Sequence, residues 1–151
     1  MVARCNRGSS PDYCGAIGNL VFTPGSGVHT WEVDLSGQMS GVMIGVAAPS
    51  LEGRLGAGSL PNSISERQTK VWWWSDGYVG QNGNNSQEMR ILQERIQRDR
   101  QLWRMGQRPV RVVMDCLSGQ VKFFASLDMD ADQAVVFSGI DCPVVPFIYF
   151  D

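Results

Sequence analysis

Strict period-two alternation is the feature that most limits what this chain can fold into. From Val28 to Leu35, residues Val28, Thr30, Glu32 and Asp34 fall on one side of an extended backbone, and His29, Trp31, Val33 and Leu35 fall on the other. That pattern suits a half-buried strand with Trp31 turned inward and suits no helix. The other apolar stretches are equally short. Turn formers close them, among them Pro24-Gly25-Ser26-Gly27, Gly80-Gln81-Asn82-Gly83-Asn84-Asn85 and Asp115-Cys116-Leu117-Ser118-Gly119. Seventeen glycines and seven prolines supply those turns.

Read in order, the segments predict about eight short strands. Residues 1–15 read as an N-terminal extension or edge strand. Residues 16–23 hold the apolar run Leu20-Val21-Phe22. Residues 41–48 are apolar on both faces, which predicts a strand buried on both sides. Residues 49–69 carry Pro, Gly, Ser and Asn with few large apolar groups and read as a long surface loop. Lys70 to Val79 contains Trp72-Trp73-Trp74, where Trp72 and Trp74 share one face and Trp73 takes the other. Val110 to Met114 and Gln120 to Ser126 flank a five-residue turn as a hairpin. Ala134 to Phe137 and Pro143 to Phe150 complete the set.

One stretch breaks the β pattern. Around 86–104, Met89, Leu92, Ile96 and Trp103 recur at helical spacing among six arginines: Arg90, Arg95, Arg98, Arg100, Arg104 and Arg108. A short helical or irregular insert is expected there, within an Arg-rich stretch over 84–106. It is either a surface helix with a solvated charged face or a docking helix for an acidic partner. Strands at this spacing predict an all-β, antiparallel two-sheet β-sandwich or a barrel, and 151 residues fit a single domain over 1–151.

Composition narrows the function classes. The formal net charge is -2 and the sequence pI about 5.3, where a nucleic-acid-binding domain is usually basic. No stretch approaches the ~18 apolar residues of a membrane span, and the N-terminus has no apolar leader. A cytoplasmic or nuclear, intracellular chain that binds neither nucleic acid nor membrane is expected. Cys5, Cys14, Cys116 and Cys142 show no CxxC spacing, so free thiols are expected and a zinc site is not.

Several segments together resemble the SPRY (PRY–SPRY) domain family. Gly27-Val28-His29-Thr30-Trp31-Glu32-Val33 is similar to the family's G-x-H-x-W-E-V strand, and Gly45-Val46-Ala47 to its G-V-A strand. Val71-Trp72-Trp73-Trp74, with Gly77 and Asn82-Gly83, is similar to its Trp strand and the turn that follows. Val112-Val113-Met114-Asp115 with Ser118-Gly119-Gln120-Val121-Lys122-Phe123-Phe124 is similar to its late hairpin, and Cys142-Pro143-Val144-Val145-Pro146 to its P-V-V strand. The chain departs from the family at Met105–Pro109, where a short G-D is usual, and in the Arg-rich segment, where a short connector is usual.

The resemblance implies a bent β-sandwich, concanavalin-like, that recognises proteins through loops at one face. It further implies a monomeric domain of a longer protein, serving as the substrate-recognition arm of a ubiquitin ligase or in a signalling scaffold. In family members that bind short peptides, the loop after the G-V-A strand makes contacts, which points to Ser50, Leu51, Glu52 and Arg54. An aromatic after the P-V-V strand serves the same face in one subgroup, and Tyr149 holds that place. Trp73 is expected either in the core or as an exposed anchor. The expected partner is a protein or short peptide, and no cofactor is implied.

The chemistry of the residues fits gripping better than bond-breaking. His29, the one histidine, lies within a strand motif, where a packed or hydrogen-bonded role is expected. A nucleophile–base pair would have to use it. No G-x-S-x-G, Walker or H-E-x-x-H motif is present. Asp115 opens a turn, where Asp bonds local backbone. Asp128, Asp130 and Asp132 lack the glycine and distal glutamate of an EF-hand, so a solvated acidic loop is expected. The expectation is a protein that is not an enzyme. The alternative is a lectin-like sandwich binding sugars through exposed Trp and the Asn-rich segment 81–85.

Overall fold

The computed structural model describes residues 14–34, 42–49, 71–75, 78–81, 93–94, 97–98 and 109–150. Nine strands are present among them: β1 (Cys14–Ile17), β2 (Val28–Val33), β3 (Val42–Ala47), β4 (Val71–Ser75), β5 (Tyr78–Gln81), β6 (Val110–Asp115), β7 (Gln120–Phe124), β8 (Val135–Phe137) and β9 (Val145–Phe150). They form a five-stranded sheet in the order β1-β9-β3-β4-β5 and a four-stranded sheet in the order β2-β6-β7-β8. Every described ladder is antiparallel. The protein is an all-β sandwich of two sheets, as the alternation predicts.

The core lies between the sheets. Val42, Ile44 and Val46 of β3 face Val110, Val112 and Met114 of β6, together with Val121 and Phe123 of β7 and Val135 and Phe137 of β8. Phe123 is fully buried and meets Phe137 edge-on, ring centroids 5.9 Å apart. Burying each such side chain stabilises the fold by ~1.5–3 kcal/mol. On β2, His29, Trp31 and Val33 are half-buried while Val28, Thr30 and Glu32 are exposed, which is the predicted alternation. Trp31 packs on the core and against Phe22. All six residues of β3 are buried, again as predicted.

An arginine covers one aromatic ring of the core cluster. Arg111 and Phe124 are direct cross-strand partners. The guanidinium lies over the Phe124 ring at 4.4 Å from its centroid, and Phe124 is buried. The arginine thus covers an aromatic ring with its planar group, a cation–π contact.

Two sequence expectations are corrected. The stretch 70–79 is not one strand: β4 ends at Ser75, β5 begins at Tyr78, and the two pair with each other. The intervening Asp76-Gly77 is the dipeptide that favours tight hairpins. Nor does the first strand span 16–23. β1 covers Cys14–Ile17, Leu20 and Val21 are exposed, and Phe22 makes a lone bridge to Val144. Of the expected insert around 86–104, Gln93, Glu94, Gln97 and Arg98 are described and are helical.

Candidate functional site

Three connections meet at one end of the sandwich. β6 runs into the turn Cys116–Gly119, β2 is preceded by the turn 23–27, and β8 leads through residues 138–144 into β9. Main-chain hydrogen bonds brace them. Cys116 N–H donates to Gly27 O at 2.9 Å, Gly25 N–H donates to Cys116 O at 3.3 Å, and Ile140 N–H donates to Gly119 O at 3.0 Å. Phe22 and Val144 exchange both of their bonds, at 2.8 and 3.1 Å, which ties the first crossing between sheets to the last.

Asp115 shapes the β6–β7 turn. Its Oδ1 accepts from the N–H groups of Leu117 and Ser118 at 2.9 and 3.2 Å, and its Oδ2 accepts from the Ser118 hydroxyl at 2.6 Å. The Ser118 hydroxyl and then the two amides hold this carboxyl below its ordinary value. Asp115 therefore takes the backbone-bonding role expected of it. Gly119 continues the turn at a φ of 63°, the left-handed region that favours glycine.

This bracing presents apolar side chains to solvent. Leu117 at the turn tip is 72% exposed, and Val28, whose strand partner is Asp115, is 60% exposed. Leu20 and Val21, just before the Phe22–Val144 bridge, are 64% and 51% exposed. The fifth exposed large apolar residue among those described, Leu127, follows β7 at the opposite end. Among the described residues, four of the five exposed large apolar side chains therefore lie toward one pole.

No family model matches the sequence. No curated protein matches it either. Among solved structures, the crystal structure of the TRIM65 PSpry domain is similar, with a TM-score of 0.48 and 17% sequence identity, covering 97% of this chain and 72% of that one. Similarity at that level transfers no residue's role.

The sequence-predicted site residues fall in different places. Ser50, Leu51, Glu52 and Arg54 lie outside the described residues. The strand they follow, β3, ends at Ala47, which pairs with Val145. Val145 follows Val144 directly, so the chain departs for residues 50–54 from the braced end. Trp73 pairs with Gly45 on one side and Gly80 on the other, and Gly45 pairs in turn with Phe147. Trp73 therefore stands in register between Gly45 and Gly80 near the middle of β4. Tyr149 pairs with Met43 and Gly15. Tyr149, however, stands four residues along β9 from Val145, about 13 Å at strand rise, and so lies far from the departure point of 50–54. Met43 and Phe147 are buried.

His29 is a packed residue. Its ring stacks on Phe22, centroids 4.4 Å apart and planes 14° from parallel, and its Nε2 is 2.7 Å from the Ser26 Oγ. Glu32, exposed, lies on the other face of β2. No group of three or more His, Cys, Asp or Glu that would hold a metal occurs among the described residues. The signal that sequence reading missed is Leu117, which passes as an ordinary turn residue until its exposure and bracing are known.

Proposed function

We propose that the protein is a binding module that takes a peptide or folded protein partner at the braced end of the sandwich. Leu117 and Val28 supply apolar contact, with Leu20 and Val21 beside them and the 50–54 segment leaving from the same end. The observation that carries this reading is the gathering of exposed apolar side chains on turns cross-braced by main-chain hydrogen bonds. Turns held on a stiff scaffold bind with little ordering cost, and apolar anchors ringed by polar groups are where interfaces concentrate affinity. The five segments that resemble the SPRY family support it as well. Each lies on or leads into a strand: β2, β3, β4, the β6–β7 hairpin and β9.

On this reading the chain is not an enzyme, the Ser26–His29 contact is structural, and a ubiquitin ligase or signalling scaffold would supply the surrounding protein. The test is affinity capture with quantitative mass spectrometry, comparing the wild-type chain with Leu117→Asp and with Tyr149→Ala. Proteins retained by wild type and lost with Leu117→Asp, while Tyr149→Ala retains them, place the contact at the braced end. Loss with Tyr149→Ala alone moves it to β9 around Tyr149. Equal recovery by all three chains rejects both surfaces.

A further inference from the structure

Two cysteines border the same core cluster beneath the braced end, and the binding role proposed above makes no use of them. Cys116 opens the β6–β7 turn and is buried in the core cluster; Cys142, half-buried, precedes β9 and packs against that same cluster. Both are free thiols, on segments that the Gly119–Ile140 hydrogen bond joins, and Cys116 is among the groups that raise the Cys142 thiol. The main chain around them is pinned on every side. Cys116 is tied to Gly25 and Gly27, Gly119 to Ile140, and Val144 to Phe22. Segments braced in this way hold the two thiols in one neighbourhood, and a disulfide needs the sulfurs to close to about 2.05 Å.

We infer that Cys116 and Cys142 are a modification site, a redox pair that a peroxide-class oxidant converts to an intramolecular disulfide joining the β6–β7 turn to the segment before β9. One sulfur, as thiolate, attacks a peroxide oxygen. An S–O bond forms, the O–O bond breaks, and the departing hydroxide takes up a proton as water. The second sulfur then displaces the sulfenic oxygen, forming S–S and releasing a second water. Two thiols lose two electrons and hydrogen peroxide gains them. A thiol reductant reverses the step. The product fixes the residue next to Leu117 to a second segment, so the turn loses freedom on oxidation.

The test is peptide mapping of the full chain after brief hydrogen peroxide treatment under native conditions. Cleavage after Arg111 and Lys122 separates the two cysteines, into peptides 112–122 and 123–151. The expected product is this pair of peptides joined, 2 Da lighter than their sum, released by dithiothreitol and absent from Cys116→Ala and Cys142→Ser chains. A parallel oxidation in concentrated guanidinium chloride, where Cys5 and Cys14 compete freely, should give mixed pairings. Native oxidation that yields the same mixture, or that leaves residues 116 and 142 as separate sulfinic acids, overturns the inference.

Discussion

A Cβ on Gly119 would stand 2.9 Å from the carbonyl oxygen of Ile140. The same carbonyl belongs to the residue whose N–H donates to Gly119 O at 3.0 Å. The turn and the segment before β9 touch so closely that only a hydrogen fits between them, and glycine also tolerates the positive φ found there.

Gly119→Ala should therefore destabilise the fold by about 2 kcal/mol or more, from backbone strain and the clash with Ile140 together. Urea denaturation measures it. A change within about 0.5 kcal/mol, the range of ordinary surface substitutions, would mean that the turn and Ile140 separate at no cost.

Phe123 and Leu117 should behave as opposites. Phe123→Ala empties the centre of the sandwich beside Phe137 and should cost about 3–5 kcal/mol. Leu117→Asp alters a side chain 72% exposed and should leave stability within about 0.5 kcal/mol of wild type. Chemical denaturation of the two variants side by side checks both, and a large loss in Leu117→Asp would show that the turn tip is packed.

Acid should loosen the β6–β7 turn. The carboxyl of Asp115 is held below its ordinary value near 3.8 by the Ser118 hydroxyl and the amides of Leu117 and Ser118. The unfolded chain takes up that proton first, so the contribution is complete above about pH 4 and is lost as pH falls through the lowered value. Asp115→Asn should be less stable than wild type at pH 7, and the two should converge as pH drops toward 2. Melting curves across that range test the convergence.

Alkali should act in the other direction at Cys142. Burial, then Cys116, pushes its thiol from about 9 up to about 11. The folded chain holds this proton after the unfolded chain has released it. Stability from this group is thus present below pH 9 and declines as pH climbs toward 11. The difference in unfolding midpoint between wild type and Cys142→Ser should shift across that window. Iodoacetamide should label Cys142 more slowly at pH 9 than it labels a short unstructured peptide with the same thiol.

Much of the scaffold was legible because short-range patterns carry it. Alternation at Val28–Val33 and the double-sided apolar run at Val42–Ala47 follow directly from whether one or both faces are covered. The hairpin about Asp115–Gly119 announces itself through turn chemistry. What the pattern hides is register and depth. Trp73 and Tyr149 belong to one sheet only because β3 lies between β4 and β9, a long-range fact that no local spacing encodes. The break between β4 and β5 follows the three tryptophans, and the apolar residues on either side of it read as one longer strand. Leu20 and Val21 look like core residues, yet the chain there makes a single bridge at Phe22 instead of a ladder, so both side chains stay outside. Cys116 and Cys142 become neighbours only when β7 and β8 fold back between them.

The pairing of β1 with β9 has a practical outcome. Cys14 stands opposite Phe150, so the polypeptide enters and leaves the five-stranded sheet side by side. That doorway lies at the pole remote from Leu117. A fluorescent label carried at position 14 or 150 would sit at the back of the molecule, leaving the front free to meet whatever it meets.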